Sequence, residues 1–138
     1  QVEEAFAMSA QNAHIRHGFG TVRPYLFGPT SMREFVKQAF GAEEIECLKA
    51  GGGNGFHVES KIGDSVIVME VCDPPHPRGT PASVYVYVED VDATYKRALA
   101  AGATSIGAPE EKPYAERAAG VTDPYGNTWY FAMHKRAR

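Results

Sequence analysis

Two stretches of the chain, VRPYLFGPTSMREFVKQAFGAEEI over residues 22–45 and ASVYVYVEDVDATYKRALAAGATSI over residues 82–106, follow one pattern. Each opens with a short strand of aromatic and branched residues and breaks at polar ones. Each then continues as an amphipathic helix of about three turns and returns to β structure after a glycine–alanine pair. Met32, Phe35, Val36, Ala39 and Phe40 share one face of the first helix; Val91, Tyr95, Ala98 and Leu99 share one face of the second. Ser31 is the expected N-cap of one helix and Asp90 or Asp92 of the other, while Gly41 and Gly102 stand where a left-handed residue closes a helix. The offset of about 60 residues marks a duplicated unit.

Three further strands complete each unit. EEIECLKA, NGFHVESKI and DSVIVMEV follow the first helix; TSIGAPEE, AERAAGVTDP and NTWYFAMH follow the second. GGGNG at 51–55 precedes a strand rather than a helix, so it reads as a turn and not as a phosphate-cradling loop. The Pro-rich segment CDPPHPRGTP links the halves. The expected order is a short N-terminal helix over Glu3 to Ala13, then βαβββ, linker, βαβββ. Residues 1–17 form an extension, 18–77 a first module and 78–138 a second. The fold class is α+β.

Strand alternation assigns faces. If Gly63 and Asp64 form a two-residue hairpin loop, Ile62 opposes Ser65, Glu59 opposes Val68 and His57 opposes Glu70. Val58, Ile62, Ile67, Met69 and Val71 then make an apolar face for the helix layer. His57, Glu59, Lys61, Val66, Val68 and Glu70 make the other face. In the second half Val84, Val86 and Val88 lie under the helix, and Ser83, Tyr85 and Tyr87 turn away from it. In the last strand Tyr130 is on the opposite face from Trp129 and Phe131.

Composition narrows the partners. The chain has 138 residues, is 43% hydrophobic and 22% charged, and carries a formal net charge of -3. Lys and Arg cluster only at the terminal HKRAR, so nucleic acid is not an expected partner. No apolar run approaches the roughly 20 residues that cross a bilayer. Cys47 and Cys72 have no metal-binding or redox spacing, and two reduced thiols fit a cytoplasmic protein.

The duplicated unit, VEDVDATYKRALAAGA and the closing DPYGNTWYF resemble the vicinal-oxygen-chelate superfamily, which includes glyoxalase I, extradiol dioxygenases and bleomycin-resistance proteins. PYLFGPTSMREFVKQAFGAEEI and HVESKIGDSVIVM further resemble a glyoxalase-like subgroup. The resemblance covers roughly residues 21–134. It implies curved mixed sheets around a cavity, with helices on the convex side. It also implies four metal-ligand positions, which here fall on Arg23, Val68, Ser83 and Tyr130. None of these offers the imidazole or carboxylate that a divalent catalytic ion requires. Tyr130 is expected to point into the cavity, and no metal or other cofactor is expected at those four positions.

The expected cavity wall is aromatic with polar anchors: Arg23, Tyr25, Phe27, Glu59, Ser83, Tyr85, Tyr87 and Tyr130 as ligand-binding residues. Arg23 could pair with a ligand carboxylate or lie over an aromatic ring. The first expectation is therefore a metal-independent small-molecule-binding protein for a planar or hydrophobic ligand; in the alternative, the same aromatics simply fill the interior. His57, Glu59 and Glu70 leave three readings open: a cross-strand pair, acid–base catalysis by His57 with Glu70, or a divalent ion at a shifted position. Enzyme and non-enzyme both remain open. A lyase, isomerase or dioxygenase is the alternative function, and a homodimeric structural or interaction module with a filled cavity is the second alternative.

Overall fold

The computed structural model describes residues 11–50, 54–74 and 79–135. Most of the expected N-terminal helix, the start of the Gly-rich turn and the boundary between the modules lie outside the described residues.

The first module runs β1 (Tyr25–Gly28), α1 (Met32–Phe40), β2 (Glu43–Lys49), β3 (Phe56–Ile62) and β4 (Ser65–Val71). The second repeats it as β5 (Ser83–Tyr87), α2 (Val91–Ala100), β6 (Thr104–Lys112), β7 (Glu116–Thr122) and β8 (Thr128–His134). Each module forms one mixed four-stranded sheet, in the orders β1-β4-β3-β2 and β5-β8-β7-β6. In both, the strand before the helix pairs in parallel with the last strand, and the other pairings are antiparallel. The α+β duplication expected from the sequence is the fold.

Register follows the turn. Ile62 pairs with Ser65 around Gly63, whose φ of 59° places it in the left-handed region. From there Glu59 falls opposite Val68 and His57 opposite Glu70, as alternation predicted. A one-residue slip would have sent Val58 and Met69 to the other face.

One core serves both halves. Leu26, Val58, Ile67, Met69 and Val71 bury against Met32, Phe35, Val36 and Ala39 of α1; Val86, Val121, Trp129 and Phe131 bury with Val91 and Ala98 of α2. Phe40 crosses between modules, its ring centroid 4.6 Å from that of Trp129. Gly41 caps α1 with φ 66° and the Asp90 side chain caps α2 by accepting from Ala93 N, both as predicted. Two expectations fail here. Ser31 makes no capping bond; its hydroxyl meets the Tyr125 hydroxyl at 3.0 Å. In α2, Thr94 rather than Leu99 completes the buried stripe, because the Thr94 hydroxyl donates to the Asp90 carbonyl at 2.9 Å and so can be buried without cost.

Candidate functional site

Each sheet has one face against the helices and one face away from them, and the two outer faces differ. The first is covered by its own chain. Residues Arg16–Gly18 form a single 3-10 turn, with His17 in the left-handed region at φ 70°. This turn and the residues up to Arg23 lie as a strap across β2, β3 and β4. Arg16 Nε and Nη2 donate to the two oxygens of Glu46, each at 2.8 Å. His17 Nε2 sits 2.9 Å from Glu46 Oε1 and 3.2 Å from Glu59 Oε1. The backbone of Gly20 packs close over Val66, which is completely buried although it lies on the outer face.

Arg23 is the anchor of this strap and not a free ligand-binding cation. Its guanidinium donates to the carbonyls of Gly20 at 2.8 Å and Phe19 at 3.0 Å, to that of Arg16, and to Glu59 Oε1 at 3.1 Å. Its planar donor fork is engaged by main-chain oxygens and by a carboxylate that is only 3% exposed.

His57 stands between two carboxylates. Its Nε2 is 2.9 Å from Glu59 Oε2 and its Nδ1 is 3.1 Å from Glu70 Oε1, which also accepts from the Tyr25 hydroxyl at 3.2 Å. Burial of the ring pulls its pKa down, but the hydrogen bonds and charges of Glu59 and Glu70 together outweigh that and hold it above the ordinary value. Such an environment favours imidazolium, a stabilised cross-strand bridge. The trio does not converge on one ion, because Glu59 and Glu70 sit at opposite nitrogens of the same ring and a ligating imidazole offers one lone pair. Among the described residues, the atoms that do converge are those of His17, Glu46 and Glu59, which lie within 4.8 Å of one another. Nothing in the sequence singled out His17 or Glu46, since the three are brought together only by the strap.

The four positions implied by family resemblance do not fit a catalytic metal. Arg23 is committed as above. Val68 has no donor atom. Ser83, exposed, faces Thr128, while Tyr130 pairs across the sheet with Tyr85.

The second outer face is open. Tyr85 is 48% exposed, Tyr130 44%, Ile106 50% and Tyr114 57%, and they surround a cavity of about 240 Å³. Its floor is made by Gly107 and Gly120, paired opposite each other on β6 and β7. A Cβ on Gly120 would lie 3.0 Å from Tyr130 Cδ1 and 3.1 Å from Ile106 Cγ1, so the Tyr130 ring rests against bare backbone. A Cβ on Gly107 would meet nothing within 4 Å. Tyr85 and Tyr87, two residues apart on β5, both donate to Glu116, Tyr87 at 2.6 Å. That carboxylate holds the Tyr85 phenol well above its ordinary pKa.

The structure thus divides the predicted aromatic lining. Tyr85 and Tyr130 wall the open cup, and Tyr87 stands beside Tyr85, outside the cup's lining. Tyr25 and Phe27 stack on each other at 4.9 Å on the first sheet, apart from that cup. Ile106, Gly107, Tyr114, Glu116 and Gly120 were missed; two glycines in one sheet were the available signal, since a strand glycine marks close approach. A larger groove of about 710 Å³ is lined by residues of α1, β2 and β3, among them Arg33, Lys37 and Glu44, but its charged groups are surface ones, with Arg33 already paired bidentately to Glu44.

Comparison with known proteins agrees with this architecture. The family model for the Glyoxalase/Bleomycin resistance protein/Dioxygenase superfamily matches residues 29–131. An uncharacterised Mycobacterium bovis protein is 31% identical over 106 residues, 70% of each chain. An uncharacterised Mycobacterium tuberculosis protein is equally similar over 106 residues, and there the match spans 70% of this chain but only 62% of the relative. Among solved structures, TioX from Micromonospora sp. ML1 is 25% identical with a TM-score of 0.65, over 82% of this chain and 95% of that one. A family enzyme from Burkholderia phytofirmans PsJN is 25% identical with a TM-score of 0.62, over 81% and 94%.

Proposed function

The chain belongs to the glyoxalase/bleomycin resistance protein/dioxygenase superfamily, and from that premise we propose that it is a metal-independent binder of a small planar, hydrophobic molecule. One observation carries the reading: three half-exposed aromatic rings and Ile106 surround a floor of two facing glycines on the outer face of the second sheet. Large apolar side chains left in water are ordinary singly and informative as a group. Flat rings over bare backbone suit a flat ligand, and each good ring contact adds about 0.5–1.5 kcal/mol beyond area burial. The cavity of about 240 Å³ lies just below the usual range for drug-sized ligands, which favours one or two fused rings.

The test is thermal stabilisation by a two-ring aromatic probe in the presence of chelator. A probe at about a hundred times its dissociation constant adds about 2.7 kcal/mol, a shift of several degrees for a domain of this size. Tyr130→Ala removes most of that shift. A panel of such probes that leaves the melting temperature unchanged overturns the reading.

A metal-dependent enzyme has one observation on its side, the convergence of His17, Glu46 and Glu59. Against it, the guanidinium groups of Arg16 and Arg23 already occupy those carboxylates. Stoichiometric zinc, nickel, iron or manganese in untagged protein decides for the enzyme; metal-free protein decides for the binder.

A further inference from the structure

We propose that the cup of the second sheet selects ligands with a fixed positive charge on or beside the planar ring, that is, aromatic cations. The inference rests on the binding function proposed above and deepens it.

Three rings, Tyr85, Tyr114 and Tyr130, wall the cup, and a carboxylate stands behind Tyr85. Tyr85 and Tyr87 stand nearly perpendicular, their centroids 5.6 Å apart and their planes at 69°. Their orientation is fixed because both phenols donate to Glu116, which is only 7% exposed. Tyr114, also on the surface, lies close enough to act electrostatically on both phenols. The faces of aromatic rings carry negative potential, and rings set at an angle to one another are how proteins hold organic cations.

The charges at the cup point the same way. Glu110 and Lys112 line it from β6, Glu116 on β7 stands behind the Tyr85 and Tyr87 phenols, and His134 on β8 pairs with Glu116. Lys112 Nζ is 2.7 Å from Glu110 Oε1, so those two cancel. His134 Nδ1 is 3.7 Å from Glu116 Oε2, beyond hydrogen-bond distance, and its side chain is 61% exposed. Glu116 stays ionised, since the hydrogen bonds from Tyr85 and then Tyr87 hold its carboxyl below the ordinary range. One net negative charge therefore lies behind the rings. The cation that a carboxylate ligand would need, Arg23, is locked in the strap on the other sheet. An anion at this cup meets the negative faces of the rings and no unpaired cation among the described residues.

The experiment titrates the full chain, with chelator present and at mildly alkaline pH, with three probes of one size: N-methylquinolinium, neutral methylquinoline and naphthoate. N-methylquinolinium is expected to bind about tenfold more tightly than naphthoate, with methylquinoline between them. Glu116→Gln, which keeps an acceptor for one phenol, offers an N–H to the oxygen of the other and removes the charge, is expected to cut affinity for the cation about tenfold and leave methylquinoline within about twofold. Naphthoate binding as tightly as N-methylquinolinium to the unmodified protein overturns the inference, whatever the variant does. Equal loss of cation and neutral probe in Glu116→Gln also overturns it. If methylquinoline binds without any preference for the cation, the charge inference falls and the binding function stands. If no probe binds, both fall.

Discussion

The carboxylate of Asp123 holds the indole of Trp129: Oδ2 accepts the Nε1–H bond at 2.9 Å, in a site where Asp123 is 4% exposed and Trp129 fully buried. The same carboxylate accepts from the backbone N–H groups of Tyr125 and Asn127, both at 2.9 Å, and from Asn127 Nδ2 at 3.0 Å. Asn127 Oδ1 in turn accepts from Ala82 N at 2.9 Å, so the turn before β8 is tied to the start of β5. Asp123→Ala leaves four donors unmet in a place water does not reach. Loss of about 3–5 kcal/mol is expected by urea denaturation. Asp123→Asn, which retains one acceptor oxygen, is expected to lose less; equal losses would show that one acceptor oxygen cannot stand in for two.

Gly107 offers a clean way to close the cup. Its Cβ direction leads into open space, and its φ is not in the left-handed region. Gly107→Leu is therefore expected to change stability by less than about 1 kcal/mol while abolishing the thermal shift given by two-ring probes. Retained probe binding in a folded Gly107→Leu protein would mean that the ligand sits elsewhere. Gly120→Ala is the contrasting change, because there Tyr130 and Ile106 must both move by a few tenths of an ångström.

What could be read from letters divides at the strap. Period-two alternation set Tyr85 and Tyr130 on the outer face and Trp129 and Phe131 on the inner one, because a strand buried on one side has only two choices. The hairpin at Gly63 fixed His57 opposite Glu70 for the same reason. Arg23 was placed on the correct face, but the protein groups it engages were not foreseen. Its partners are three main-chain carbonyls and Glu59, thirty-six positions away, and no local pattern encodes a segment folding back over a sheet. Glu116 was invisible for a similar reason: its importance comes from two phenols on β5 that reach it only across the assembled sheet.

Arg23 supplies a test of the strap itself. Arg23→Met leaves Glu59 buried beside two histidines with its guanidinium partner gone, a change expected to cost about 3–5 kcal/mol. Hydrogen exchange at residues 16–22 is expected to rise with it. Combining Arg23→Met with Glu59→Leu is expected to recover part of the loss, since the unpaired charge is then removed. Probe binding to the second sheet is expected to persist in the double variant. Its loss there would return Arg23 to the ligand site.

His57 makes the strapped face pH-sensitive in a defined sense. Its pKa is raised in the folded protein, so its bridge to Glu59 and Glu70 stabilises fully below the unfolded value and fades as pH climbs through the folded one. The groups that face it are Glu59 and Glu70, with Tyr25 on the same Glu70 oxygen and His17 and Arg23 on the other oxygen of Glu59. Comparing the unmodified protein with His57→Gln by urea denaturation, the gap in stability is expected to be widest near about pH 5.5 and to shrink toward about pH 9. Because about a third of the side chain is exposed, the change in that gap should be no more than about 1 kcal/mol. A gap that widens with rising pH would place neutral imidazole in the folded state, and with it a base able to take a proton.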